Sequence, residues 1–321
     1  ASVYKKETDN LITPVQVSYA TGFNTKVVNS GVVENKGLEL NVFGSPIKTE
    51  DFEWKINANY STYESKVTEL FGDTENLLVN SFFGVTLNAA LGEPYGVIKG
   101  TDYQYVDGQR LVREDGLYAK TTSRQEIIGD INPDFKAGIQ NMFSYKNWNL
   151  SFLIDVQEGG SIFTGDLYFG MATGLYPETA GLNDLGNPKR DPVTDGPDSG
   201  GIILDGVQAD GSTNTVRADM STYANPLGRY GNAPDAQFVY DASYVKLREA
   251  TLSYSLPSEV VETLPFTGVK FTATGRNLWI IDKDLPYADP EDSFGAGNVQ
   301  GFQIGAYPSV REYGLSVQLQ F

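Results

Sequence analysis

Residues 135–157 read FKAGIQNMFSYKNWNLSFLIDVQ, and the fold is decided in them. Before the Lys146-Asn147 dipeptide, Phe135, Ala137, Ile139, Phe143 and Tyr145 hold every second position, with Asn141 as the one break. After it, Trp148, Leu150, Phe152, Ile154 and Val156 do the same, alternating with Asn149, Ser151, Asp155 and Gln157; Leu153 is the exception. Strand side chains point alternately to the two faces, so a period of two means one apolar face and one polar face. Two such runs flanking a two-residue turn form a hairpin. Each arm runs for about ten residues, against about 5–6 in most soluble strands. A tilted strand needs about 9–11 to cross a bilayer.

The pattern recurs elsewhere. Phe52, Trp54, Ile56, Ala58 and Tyr60 alternate with Glu53, Lys55, Asn57, Asn59 and Ser61. Val269, Phe271 and Ala273 lead on to Trp279 and Ile281, and Tyr313, Leu315, Val317, Leu319 and Phe321 close the chain. A soluble β-sandwich would show the same alternation, with its apolar face inward. Loop lengths separate the two readings. Short joins at Lys146-Asn147 and over 44–51 alternate with long ones, and 159–237 contains GLNDLGNPKRDPVTDGPDSGG, too rich in turn formers to be a strand. Outer-membrane barrels have short periplasmic turns and long external loops, whereas such a loop is uncommon in a compact soluble domain. The apolar stripe from Tyr313 to a final Phe321 resembles the assembly signal of outer-membrane proteins.

Composition narrows the function. A net charge of -17 argues against a nucleic-acid partner, because phosphate binding needs a positive surface. Cysteine and histidine are both absent, which removes thiolate chemistry, the usual general base near neutral pH and the commonest metal ligand. No apolar run is long enough for a membrane-spanning helix. The opening ASVYKKETDN has no secretion signal, so an exported protein would carry one on sequence outside this chain. Nineteen Tyr, 17 Phe and 34 Gly suit strands and turns.

With the C-terminus on the periplasmic side, the strands alternate in direction backwards along the chain. That scheme places Lys146-Asn147 at a periplasmic turn and 282–308 in an external loop. It assigns two further crossings to 95–105 and 110–128, puts the first at 3–12, and gives about ten in all. Val245 and Leu247 are odd-numbered, whereas Leu252, Tyr254 and Leu256 are even, so a β-bulge is expected near Glu249.

The segments VENKGLELNV, FEWKINANYS, INPDFKAGIQNMFSYKNWNLSFLIDVQEGGSIF, SYVKLREATLSYSLP and GVKFTATGRNLWI, in this order, resemble the SusC/RagA-type family of TonB-dependent outer-membrane transporters. The resemblance spans most of the chain. It implies the C-terminal part, 1–321, of a 22-stranded transmembrane antiparallel β-barrel whose plug and N-terminal strands lie on other sequence. It also implies outer-membrane lipid around the barrel, a SusD-like surface lipoprotein as lid, energy from the TonB complex through the plug, and uptake of an oligosaccharide or peptide. The alternatives are a complete small barrel acting as adhesin or surface enzyme, and a soluble β-sandwich binding module.

Candidate sites follow from position. Asp155, Gln157 and Glu158 are expected at the lumen or its rim, able to hydrogen-bond a polar ligand; most lumen residues merely hold water or pack a plug. Phe163, Tyr168, Phe169 and Tyr176 lie near the external mouth, where they stack on sugar rings, contact the lid protein or pack the loop on itself. Asp284, Asp289, Glu291 and Asp292, in 282–297, are oxygen ligands suited to a structural Ca²⁺, without the spacing of an EF-hand; a solvated loop is the plainer reading. No other cofactor is expected. Lys246 and Arg248 are read as lumen charges pairing with the plug. Trp54, Trp148 and Trp279 fit an interfacial aromatic girdle. No catalytic constellation emerges.

Overall fold

In the computed structural model, which describes all residues except 17–19, 21, 24, 30, 224–231, 294 and 296–299, the hairpin of 135–157 lies at the centre of an eight-stranded sheet. Its strands are β1 (Ser2–Thr8), β2 (Val32–Lys48), β3 (Phe52–Glu69), β4 (Pro133–Tyr145), β5 (Trp148–Gly159), β6 (Tyr244–Ser255), β7 (Gly268–Lys283) and β8 (Glu312–Gln320). Each pairs antiparallel with the next in chain order, an up-and-down wall. Lys146, at the central turn, adopts a positive φ of 50°.

The register makes the two faces chemically distinct. One row runs Ile47, Trp54, Phe143, Leu150, Leu252, Ala273 and Leu315 across β2 to β8. On the opposite face lies the row Glu53, Ser144, Asn149, Ser253, Thr272 and Ser316. The apolar face is uncovered: Leu252 is 45% exposed and Leu315 90%. A sandwich would press a second sheet onto it at about 10 Å, so the greasy face is built for a non-aqueous neighbour. Asn141, the break in the apolar stripe, accepts a hydrogen bond from the Trp54 indole at 3.1 Å, which satisfies a polar group that lipid would leave bare. Trp148 packs on Tyr254, ring centroids 4.5 Å apart.

Among the described residues eight strands form the wall, not about ten. Residues 95–105 and 110–128 do not cross with it: β3 pairs directly with β4, Ala58 facing Ile139. Removing two crossings leaves the alternation of directions unchanged. Tyr95–Gly100 instead joins Glu126–Asp130, Val85–Ala90 and Asn76–Phe82 in a separate four-stranded sheet. Val85, Leu87, Asn88, Ala89, Val97 and Ile98 are all buried there. Strands covered on both faces lose the period of two.

The largest buried cluster lies in the connections between strands. Val85, Leu87 and Ile98 of the small sheet pack with Phe163, Leu167, Tyr168, Met171, Phe238 and Phe302. Ser161–Thr164 pairs with Val239–Asp241 and, in parallel, with Phe302–Gln303, drawing three distant segments together. The helix Gly165–Ala172 follows, its first turn capped by the Thr164 hydroxyl, which accepts from the Leu167 N–H. Asp166 in that first turn accepts from Gln303 and from the Gly305 N–H, so the helix is tied to the segment before β8. The wall leaves its apolar face outward, while the connections, which face water, build an ordinary core.

Candidate functional site

The bulge expected near Glu249 is present. Leu153 faces Glu249 while Ile154 faces Leu247, so Arg248 is the extra residue in β6. A bulge re-aims side chains, and here it adds Arg248 to the charged groups at the end of the wall from which the long connections spring. Arg248 Nε donates to Asp155 at 2.6 Å, and its Nη2 donates to Glu291 at 2.5 Å and to the Tyr244 hydroxyl at 3.1 Å. Lys246 is 4% exposed. Its ammonium contacts Asp289 and donates to Glu291 at 2.6 Å. Ser309 donates to the other Asp289 oxygen at 2.7 Å. Two cations thus meet three carboxylates, and the cluster clasps the segment between β7 and β8 onto the polar face of the wall.

Burial works against the charged forms of Asp289 and Glu291. Hydrogen bonds from Lys246 to Asp289, and from Arg248 and Lys246 to Glu291, outweigh it and hold both carboxyls below their ordinary values. Carboxylates with depressed folded pKa values contribute stability that is present above the unfolded values and lost as pH falls through the folded ones. Those ordinary values are 3.8 and 4.5. Protease protection of the clasped segment is therefore expected to stay constant from about pH 8 to about pH 5 and to fall only below about pH 4. Loss of protection near neutral pH would mean that another group holds it.

The sequence-predicted residues divide around this cluster. Asp155 is in it. Gln157 donates to the Ala242 carbonyl at 3.1 Å and lines a polar cavity of about 410 Å³ with Tyr63, Lys136, Pro290 and Glu291. Glu158 faces Phe135 across β4 and β5, two positions along from Val156, so it sits on the outer face and not on the lumen side. Phe163 and Tyr168 are core residues, at 0% and 5% exposure; neither is presented to a ligand. Phe169 is partly buried against Phe82 and Phe83, at centroid distances of 6.2 and 5.1 Å. Of the calcium candidates, Asp289 and Glu291 are engaged by Lys246 and Arg248, and Asp284 and Asp292 do not join them round a common point; no metal-holding group of carboxylates occurs among the described residues. Lys246 and Arg248, read as plug partners, pair with this same chain.

Tyr176 finds an aromatic partner that sequence reasoning did not give it. Tyr287, with a positive φ of 63°, stacks on Tyr176 at 4.7 Å and donates to Glu178 at 2.5 Å. The hydrogen bond to Glu178 pushes its hydroxyl up to about 12. Tyr287 lies far along the chain from Tyr176, so no local signal announced the pair. The arrangement as a whole supplies hydrogen-bonding and charged groups around an open cavity.

Comparison with known proteins agrees with this picture. No protein-family profile matches the chain. TonB-dependent receptor P26 of Formosa agariphila is 28% identical over 99% of the chain and 32% of its own length. TonB-dependent receptor SusC of Bacteroides thetaiotaomicron is 23% identical over 99% of the chain and 29% of its own length. The chain therefore spans about a third of the length of the curated relatives it matches. Among solved structures, the RagAB peptide importer in its closed-closed state superposes with a TM-score of 0.69 at 19% identity, covering 99% of this chain and 33% of that one.

Proposed function

We propose, from the chain's membership of the SusC/RagA-type TonB-dependent transporters as a C-terminal portion of their barrel, that it forms part of the wall of an outer-membrane importer of a bulky polar nutrient, an oligosaccharide or a peptide. The observation that carries this reading is the open wall itself. Its apolar face is continuous over seven strands, its other face is polar, and β1 and β8 are the two ends of the sheet order and do not pair with each other. Further strands have to complete it, because a spanning sheet cannot leave an edge bare in lipid. That disfavours a small self-closed barrel. The polar face becomes the lumen, and the connections over 159–237 and 282–308 lie outside the cell, where a SusD-like lid lipoprotein docks. The stripe Tyr313, Leu315, Val317, Leu319 and Phe321 serves as the assembly signal. Energy comes from the TonB complex acting on a plug.

We assign the cavity beside Gln157 and Glu291, at the end of the wall from which these connections spring, to contact with a nutrient entering the lumen. The test is uptake. Cells carrying the full-length transporter are expected to accumulate labelled oligosaccharide or peptide, and dissipating the proton gradient should abolish it. A native outer-membrane species of 35.1 kDa, without a companion chain and without gradient-dependent uptake, would overturn the importer reading.

A further inference from the structure

Two charged residues, Lys136 and Glu291, line the cavity of about 410 Å³ at the rim of the wall, and they are in different states. Glu291 is held twice over, by Lys246 at 2.6 Å and by Arg248 at 2.5 Å. Lys136 stands three residues from the Pro133 end of β4, opposite Ser61 of β3 and Gln157 of β5, and so on the polar face. It is exposed, and among the described residues neither an ion pair nor a hydrogen bond occupies its ammonium. Three polar neighbours turn their donors into the chain. The Tyr63 hydroxyl donates to Asn132 at 3.1 Å, the Asn132 amide to Asp130 at 2.6 Å, and the Gln157 amide to the Ala242 carbonyl at 3.1 Å. Asp155, the carboxylate next along the rim, is taken by Arg248 at 2.6 Å. In charge, the cavity offers an incoming molecule one free ammonium.

We propose that Lys136 sets the charge of the nutrient: the cavity takes a carboxylate of the entering molecule, and the transporter selects acidic nutrients over neutral ones. This rests on the importer reading above. A lysine ammonium is a compact charge with three donors, and its hydrogen bonds to a carboxylate are about twice as strong as neutral ones. A neutral ligand would strip water from the ammonium and return no charge, so selection works by exclusion as well as attraction. The cavity lies within the usual size of ligand sites, about 300–1,000 Å³. The chain's net charge of -17 works against any anion. Salt screens that repulsion beyond about 8 Å, whereas direct contact with Lys136 is not screened away. A uronic acid ring and an acidic peptide present the same carboxylate, and the experiment separates these two sources.

Cells carrying the full-length transporter are given one pool of oligogalacturonates, malto-oligosaccharides, and acidic and neutral casein peptides, and the imported species are identified by mass spectrometry. Imports are expected to be enriched in carboxylate-bearing members, either the galacturonates or the acidic peptides, and whichever enters names the source. Lys136→Gln should raise the half-saturating concentration of that acidic species about fivefold, as losing about 1 kcal/mol of ion pairing would, and leave neutral species unchanged. Lys136→Arg keeps the charge and should keep the preference, which a merely structural lysine would not require. Outer-membrane levels of each variant are measured alongside and set the scale for its uptake. Gradient-dependent import without acidic preference, or a preference that survives Lys136→Gln, overturns the assignment to Lys136 and leaves the importer reading standing. No gradient-dependent import of any member overturns the importer reading and this one with it.

Discussion

Lys246→Met in the full-length transporter is expected to release the segment around Asp289 and Ser309 from the wall. Met keeps much of the length of Lys but cannot pair, so Asp289, at 8% exposure, loses its cation and keeps only the Ser309 hydroxyl and the Glu291 N–H as donors. Removing one partner of a buried pair costs about 3–5 kcal/mol, because the other charge stays buried. Glu291 is less affected. Its side chain is 40% exposed and it keeps Arg248, and exposed pairs contribute only about 0–1 kcal/mol. Hydrogen exchange of the amides over 285–292 should then quicken by about two to three and a half powers of ten. The double variant Lys246→Met with Asp289→Leu is expected to recover much of the protection, since an apolar pair can replace a buried ion pair. Unchanged exchange in the single variant would show that the core around Phe302, and not the clasp, holds the segment down.

That clasp also marks the limit of what the sequence disclosed. The stripes of β3, β4, β5, β7 and β8 are legible because a period of two survives wherever one face meets apolar surroundings and the other does not. The bulge is legible for the same reason: the apolar set changes parity between Leu247 and Leu252, and only an extra residue can repair it. The four-stranded sheet is not legible as such, because Leu87 and Ile98 are buried in a core made with segments such as Phe163 and Phe302 from far along the chain, and Ala89 in another made with Val33 and Val67. Phe163 and Tyr168 mislead in the same way. Aromatics in a long connection look like a ligand platform until the connection proves to need a core of its own. Lys246 and Arg248 stand two apart on a strand, and Asp289 and Glu291 stand two apart in an acidic loop. That matched spacing was the available signal for the clasp, but nothing in it says that two segments 43 residues apart meet.

The wall's orientation has a sharper consequence, because neighbouring residues of β5 should respond oppositely to the same substitution. Phe152 lies in the middle of the apolar stripe, opposite Asn141 and Ala250, and its ring stacks near Phe143 at 6.0 Å. Asn149, three residues away, belongs to the polar face between Ser144 and Ser253. Arginine at Phe152 would sit near the bilayer midplane, where it costs about 2–4 kcal/mol, besides losing the aromatic contact. Arginine at Asn149 would point into a wet lumen and should change stability by no more than about 0.5 kcal/mol. Urea titration of the full-length transporter folded in phospholipid vesicles is expected to show this asymmetry. In water-soluble form a sandwich would also suffer at Phe152, but it would fold without lipid, so the titration is paired with refolding in lipid-free buffer. Equal losses at both positions, or folding without lipid, would remove the inside-outside assignment on which the lumen and the rim cavity both depend.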